Sequence, residues 1–248
     1  MADRNPVSIT LQAVLLCLTT TTGIIDAVCY LGMGHVLVAN MTGNIVFLGL
    51  ALAGAKGFTI SSFLVALGSF LVGATIGGRL GKVLDAHRRR WLTTASVIQA
   101  GLAAAAALAV VAGVLGPTGT ARLWVIALLG AGTGVQNATI RRLAIPDLTT
   151  SVLTMTITGL GADSTLGGGN HPRRSRRLES IAAMLIGALV GGALMVHVGF
   201  TPTLGVLAGV LALVAIGFAI VPEVDPPREP APTRPEHTAP LPPVQPAT

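Results

Sequence analysis

Among the ten acidic residues of this 248-residue chain, one carboxylate stands apart. Asp26 lies well inside a long apolar stretch, roughly 9–31, and no Lys or Arg shares that stretch to pair with it. A charged side chain at the centre of a bilayer costs about 2.5–3.5 kcal/mol on insertion scales. Such a carboxyl must be protonated, hydrogen-bonded to Thr, Asn or backbone groups, or turned to a wet cavity. It could hold a cation, relay a proton or touch a polar substrate, and it could equally tie its helix to a neighbour. A second cluster, Asn40-Met41-Thr42-Gly43-Asn44, puts two amides, a hydroxyl and a glycine into five residues. Glycine permits an unwound turn, and irregular backbone at membrane depth survives only where protein or water covers it. Further on, Gln136 and Asn137 sit in another apolar run. Thr154 and Thr156 belong to a threonine-rich stretch that also holds Thr149, Thr150, Ser151 and Thr158 behind Pro146-Asp147. Two such segments could face each other as half-helix ends and offer amides and carbonyls to a solute. The alternative is a set of hydrogen-bonded helix contacts that fixes the bundle.

No enzyme chemistry competes with that reading. The chain has no HExxH, no CxxC pair and no Ser/His/Asp set at one membrane depth. The loop Gly167-Gly168-Gly169 before Arg173-Arg174 lacks the GxxxxGK[ST] spacing and a preceding strand, so it reads as a cytoplasmic loop and not a phosphate cradle. Cys17 and Cys29 are twelve residues apart on one helix, about 18 Å of rise, too far for a disulfide; they read as small buried hydrophobes. Thr19 to Thr22 are expected to bond back to carbonyls one turn earlier, and His197 reads as structural. Trp91 and Trp124 open spans and read as interfacial anchors. No catalytic residue, metal site or cofactor is expected.

The elements that must position these groups follow from composition. Hydrophobic residues make up 52% of the chain and charged residues only 10%, against about 25% charged in soluble domains. Mean hydropathy is +0.75. Small and aliphatic residues dominate, as suits helices packed in lipid. The net charge of +6 does not point to nucleic acid, because the arginines fall in short runs (88–90, 141–142, 173–174, 176–177) between apolar stretches. Six stretches meet the length of about 20 apolar residues that a span requires: 9–31, 60–80, 92–115, 122–140, 178–199 and 203–221. Two more, 36–54 and 146–161, are broken by polar residues. With six crossings and the N-terminus inside, 14 of the 16 basic residues fall on one side; with eight the split is 9 to 7, which the positive-inside rule excludes. Seven crossings leave 13 against 3 and are not separated from six by charge alone.

Three short matches favour six. Gly23-Ile-Ile-Asp26-Ala27 pairs with Gly134-Val-Gln-Asn137-Ala138, and Met41-Thr42-Gly43-Asn44-Ile45 pairs with Leu153-Thr154-Met155-Thr156-Ile157. Gly73-Ala-Thr-Ile-Gly77-Gly78 pairs with Gly187-Ala-Leu-Val-Gly191-Gly192. The order is kept and the offset is nearly constant, 111 to 114. If each half crosses three times, the halves point in opposite directions, as in many channels and transporters. The glycine pairs 73/77, 130/134, 187/191 and 205/209 read as helix-packing faces.

Gly23-Ile-Ile-Asp26-Ala27, Val38-Ala39-Asn40-Met41-Thr42-Gly43-Asn44, Gln136-Asn137-Ala138 and Arg141-Arg142 with Pro146-Asp147-Leu148 resemble the YoaK-type family of bacterial membrane proteins over about 10–220. The Asn-Met-Thr-Gly-Asn stretch is the most specific part. In the second half this chain has Thr154-Met155 where the family pattern has Thr-Gly. The resemblance implies a multi-pass helical fold in a bacterial inner membrane and no particular activity.

The fold expected is all-α, a polytopic membrane helix bundle with six clear spans, two broken or re-entrant segments and an internal inverted repeat of about 111 residues. Its parts are a cytoplasmic N-terminus (1–8), a first membrane repeat (9–115), a second (122–221) and a disordered proline-rich cytoplasmic tail (222–248). No cleavable leader is evident, and the first stretch reads as a retained span. The function expected is a transporter or channel for a small polar solute or ion, with a site lined by Asp26, Asn40, Thr42, Asn44, Gln136, Asn137, Thr154 and Thr156. The partners are the lipid bilayer and that solute, with room for a homo-oligomer and no nucleic acid. A non-transporting scaffold is the alternative; a membrane-embedded enzyme ranks behind it.

Overall fold

The computed structural model describes residues 6–84, 87–143, 153–165, 168 and 174–220. Eight helices follow in order: α1 (Pro6–Gly32), α2 (Met41–Leu52), α3 (Ile60–Val83), α4 (Arg88–Val111), α5 (Ala121–Leu143), α6 (Leu153–Ala162), α7 (Arg174–His197) and α8 (Phe200–Ile220). Six of them are long and apolar enough to cross a membrane; α2 and α6 are shorter apolar helices. The described residues therefore form the expected all-α bundle with six spans. The proline-rich tail, Pro146-Asp147, Thr149, Thr150 and Ser151 lie outside the described residues.

The direction of each span follows from which residues meet. On α3 and α5, Gly73 packs against Ala131 and Gly77 against Val135, so the two helices run parallel. On α1 and α7, Gly187 packs against Thr20 and Gly191 against Ile24, which is again parallel. Leu15 and Leu18 of α1 share a core cluster with Ile140 near the end of α5, whereas Thr22 meets Gln136, so α1 and α5 are antiparallel. The Arg89 guanidinium donates to the Ala219 carbonyl, joining the start of α4 to the end of α8. Successive spans thus alternate, and one face is basic. It carries Lys82, Arg89, Arg90, Arg141, Arg142, Arg174 and Arg176, while Lys56 and Arg122 lie at the opposite face.

Close backbone approach holds the spans together. A methyl group at Gly73 would overlap the Ala131 carbonyl oxygen, and one at Gly187 would overlap that of Thr20. Only glycine lets the backbones touch in this way, and dispersion and packing then replace the hydrophobic drive that lipid does not supply. The pair at 205/209 is different. A methyl group at Gly205 or at Gly209 would have nothing within 4 Å, so this pair is not a packing face within the described residues. Trp91 also departs from expectation. It is buried, with its ring against Gly81, and only Trp124 sits exposed as an anchor would. Cys29 is buried as expected, but Cys17 is exposed on the outer surface of α1. Thr19, Thr20, Thr21 and Thr22 each donate to a carbonyl three or four residues earlier, which satisfies four hydroxyls inside one helix.

Candidate functional site

The chain between α1 and α2 does not stay at the membrane surface. After Gly32, the positive φ values of Gly34 (82°) and His35 (64°) reverse its direction. Residues 36–40 then run back beside α1 without helical structure, with Val36, Val38 and Ala39 buried. By Ala39 the backbone is level with Asp26, six residues or about 9 Å down the helix from Gly32. The Ala39 N–H donates to Asp26 Oδ1 at 2.9 Å, and the Val38 N–H also bonds the carboxylate. Thr133, in the middle of α5, donates to the Val38 carbonyl at 2.6 Å. Asn44, fully buried in the first turn of α2, accepts from the Leu37 N–H at 3.0 Å and donates back to the Leu37 carbonyl. Backbone groups that lipid would strand are paired in this way by three side chains.

From there α2 rises over 12 residues, about 18 Å, back towards the opposite face. Aromatic rings cover that end: Tyr30 meets His35 edge-on at 4.9 Å, and Phe47 stacks on Phe58 at 5.5 Å. Segment 36–54 is therefore a re-entrant loop and half-helix that does not cross, which places the N-terminus of α2 at mid-depth. Asn40 caps it, its side chain accepting from the Gly43 N–H at 3.4 Å.

A cavity of about 840 Å³ reaches this helix end from the basic face. Asn40 and Thr42 line it beside Ala74 and Gly78 of α3, with Asn137, Arg141 and Arg142 of α5 on the other wall. Among the described residues its lining contains two arginines and no acidic side chain. Behind the wall, Gln99 of α4 donates to Gln136 Oε1 at 2.5 Å, and Gln136 donates to Thr22 at 3.1 Å, a buried polar chain that joins α4, α5 and α1. Asn137 donates to the Thr133 carbonyl at 2.9 Å.

Of the eight residues expected at a site, Asn40, Thr42 and Asn137 meet at this cavity. Asp26 and Asn44 face the re-entrant backbone, and Gln136 faces Gln99 and Thr22. Thr154 and Thr156 stand on α6, which packs against α7; Thr154 is exposed and Thr156 buried. Arg177 of α7 meets Asp163 at 2.7 Å and donates to the Gly159 carbonyl, fixing the end of α6.

A family model described as a protein of unknown function, DUF1275, matches residues 14–217. The chain belongs to this family. It is also 36% identical over 154 residues to the UPF0700 transmembrane protein YoaK of Bacillus subtilis (strain 168), a match covering 60% of this chain and 64% of that protein. No solved structure matches. With six apolar spans, this DUF1275 member is an integral multi-pass membrane protein. The family match contains every residue of the loop, the half-helix α2 and the cavity wall.

Reading the sequence missed Thr133 and Gln99 as partners of the buried polar groups, and it assigned Arg141-Arg142 to topology alone. Thr133 had one available signal, standing one helical turn before Asn137 on the same face.

Proposed function

We propose that the protein is a channel or transporter that passes a small polar solute or ion across a bacterial cytoplasmic membrane and catalyses no covalent chemistry. The observation that carries this is the cavity that runs from the basic face to the α2 N-terminus at mid-depth. A bundle that only scaffolds has no reason to keep a cavity walled by Asn40, Thr42 and Asn137 at the depth where polar groups cost most. A helix start offers its first amides to negative charge or to carbonyl-type dipoles. With arginines at the mouth and no acid among the described lining residues, the cavity suits a neutral polar or anionic solute better than a cation. Asp26, held by two backbone N–H groups, is a positioning residue for the re-entrant loop.

The internal repeat belongs to the same reading. Spans α1, α3 and α4 alternate in one sense and α5, α7 and α8 in the other, with α2 and α6 as the two broken segments. By the distribution of basic residues, the basic face and both termini are cytoplasmic.

The test is a thermal-shift screen of neutral and anionic solutes on the purified protein, repeated with Thr42→Val and Asn137→Ala. Hits are then assayed for flux into liposomes. A solute that stabilises the wild type, crosses only in protein-containing liposomes and loses its effect in both variants supports the reading. Hits that shift the variants equally, or that never cross, overturn it.

A further inference from the structure

The helix contacts repeat themselves through the chain. On α3 and α5, Gly73 meets Ala131, Gly77 meets Val135, and Gly134 meets Phe70. On α7 and α1, Gly187 meets Thr20, Gly191 meets Ile24, and Gly23 meets Met184. Each α7 number is the α3 number plus 114, and each α1 number is the α5 number minus 111. The three contacts of one pair therefore map one for one onto those of the other. Both pairs are internally parallel, whereas α1 and α5 are antiparallel. The operation that exchanges the pairs is a half-turn about an axis lying in the membrane plane, and it carries whatever opens on one face to the other.

Applied to the cavity, the same shifts carry Ala74 and Gly78 to Ala188 and Gly192 on α7 and Asn137 and Arg141 to Asp26 and Tyr30 on α1, and the offset of 112 that pairs residues 41–45 with 153–157 carries Thr42 to Thr154 on α6. The local surroundings agree. A methyl group at Gly192 would have nothing within 4 Å, as at Gly78 in the cavity wall. Tyr30 is 38% exposed although it lies within the span Gln12–Gly32, and Thr154 is exposed.

We propose that a second polar vestibule opens on the opposite membrane face between α1, α6 and α7, and that it is the other end of the solute pathway. This rests on the transport reading and adds its second access site. The two ends differ in chemistry: Tyr30 stands where Arg141 stands at the mouth, and Asp26 stands where Asn137 stands, its carboxylate engaged by the Ala39 N–H, so the second vestibule lacks the arginine of the first.

Accessibility of single cysteines tests it, in a Cys17→Ala, Cys29→Ala background and with a charged, membrane-impermeant thiol reagent on oriented vesicles. Only a thiolate in water reacts, so the lipid-exposed Leu189→Cys sets the baseline. Gly78→Cys is expected to react at least about tenfold faster than this baseline from the basic face only. Gly192→Cys is expected to do so from the opposite face only, with Ala188→Cys as a second probe of the same wall. If Gly78→Cys reacts while Gly192→Cys and Ala188→Cys stay at the baseline, or react from the basic face, the second vestibule is overturned and the transport reading stands. If Gly78→Cys is also inert, the cavity is not wet and the transport reading falls with it.

Discussion

Asp26 illustrates how one residue type serves two different ends at membrane depth. A buried carboxylate suggests a titrating or ion-binding group, and its position in an apolar helix is what draws attention to it. Its partners are instead the N–H groups of Val38 and Ala39, two donors that a loop inside a bundle must place somewhere. On the proposed reading its role is acceptor capacity, which leads to a graded prediction. Asp26→Asn keeps an oxygen in place and is expected to stay folded, whereas Asp26→Leu strands both donors at about 1–3 kcal/mol each. Melting temperatures in detergent check this: the Leu variant should fall well below the Asn variant. Equal melting of the two would remove the positioning role.

At the scale of the element, the helix pairs depend on glycines that touch backbone, and not all glycines in small-xxx-small spacing do so. Gly73→Ala and Gly187→Ala push a methyl into a carbonyl of the facing helix, an obstacle that no rotamer change can move. Each is expected to destabilise at the upper end of the roughly 1–3 kcal/mol that overpacking costs, or beyond. Gly209→Ala meets open space and is expected to be neutral, with a slight gain from helix propensity. Unfolding in graded denaturant separates the three. The half-helix α2 follows the same logic, because Asn44 alone clasps both backbone groups of Leu37. Asn44→Ala should loosen residues 33–40, seen as faster amide hydrogen exchange there than in α3 or α5.

Across the whole molecule, the two halves are interleaved and do not sit side by side. The large helix pairings, α3 with α5, α1 with α7 and α4 with α8, all join one half to the other, and contacts within a half are few. Neither half buries its own polar belt: Gln136 of the second needs Thr22 and Gln99 of the first, and Val38 of the first needs Thr133 of the second. Residues 1–115 or 121–248 expressed alone are therefore expected to aggregate or be degraded, while the two expressed together recover a folded complex. Co-purification through a tag on one half measures it, and a monodisperse, stable single half would contradict the interleaving.

Composition and charge runs were enough to read the class, the six clear spans and the two broken segments and to exclude eight crossings, because a bilayer imposes length and apolarity on every span and leaves polar clusters conspicuous; favouring six crossings over seven took the repeat matches. The close matches around Asp26 and Asn137, and around Gly73 and Gly187, were legible for the same reason: helix contacts through glycine leave a spacing that survives in the letters. Partnership was not legible. Whether Asp26 faces a solute or a backbone amide, whether Trp91 faces lipid or Gly81, and whether Gly205 touches a neighbour depend on rotation about each helix axis and on which helices meet across 100 residues of chain. Those are set by packing of the whole bundle, so only the tertiary structure separated the cavity residues Asn40, Thr42 and Asn137 from Asp26 and Asn44, which hold the loop that shapes it.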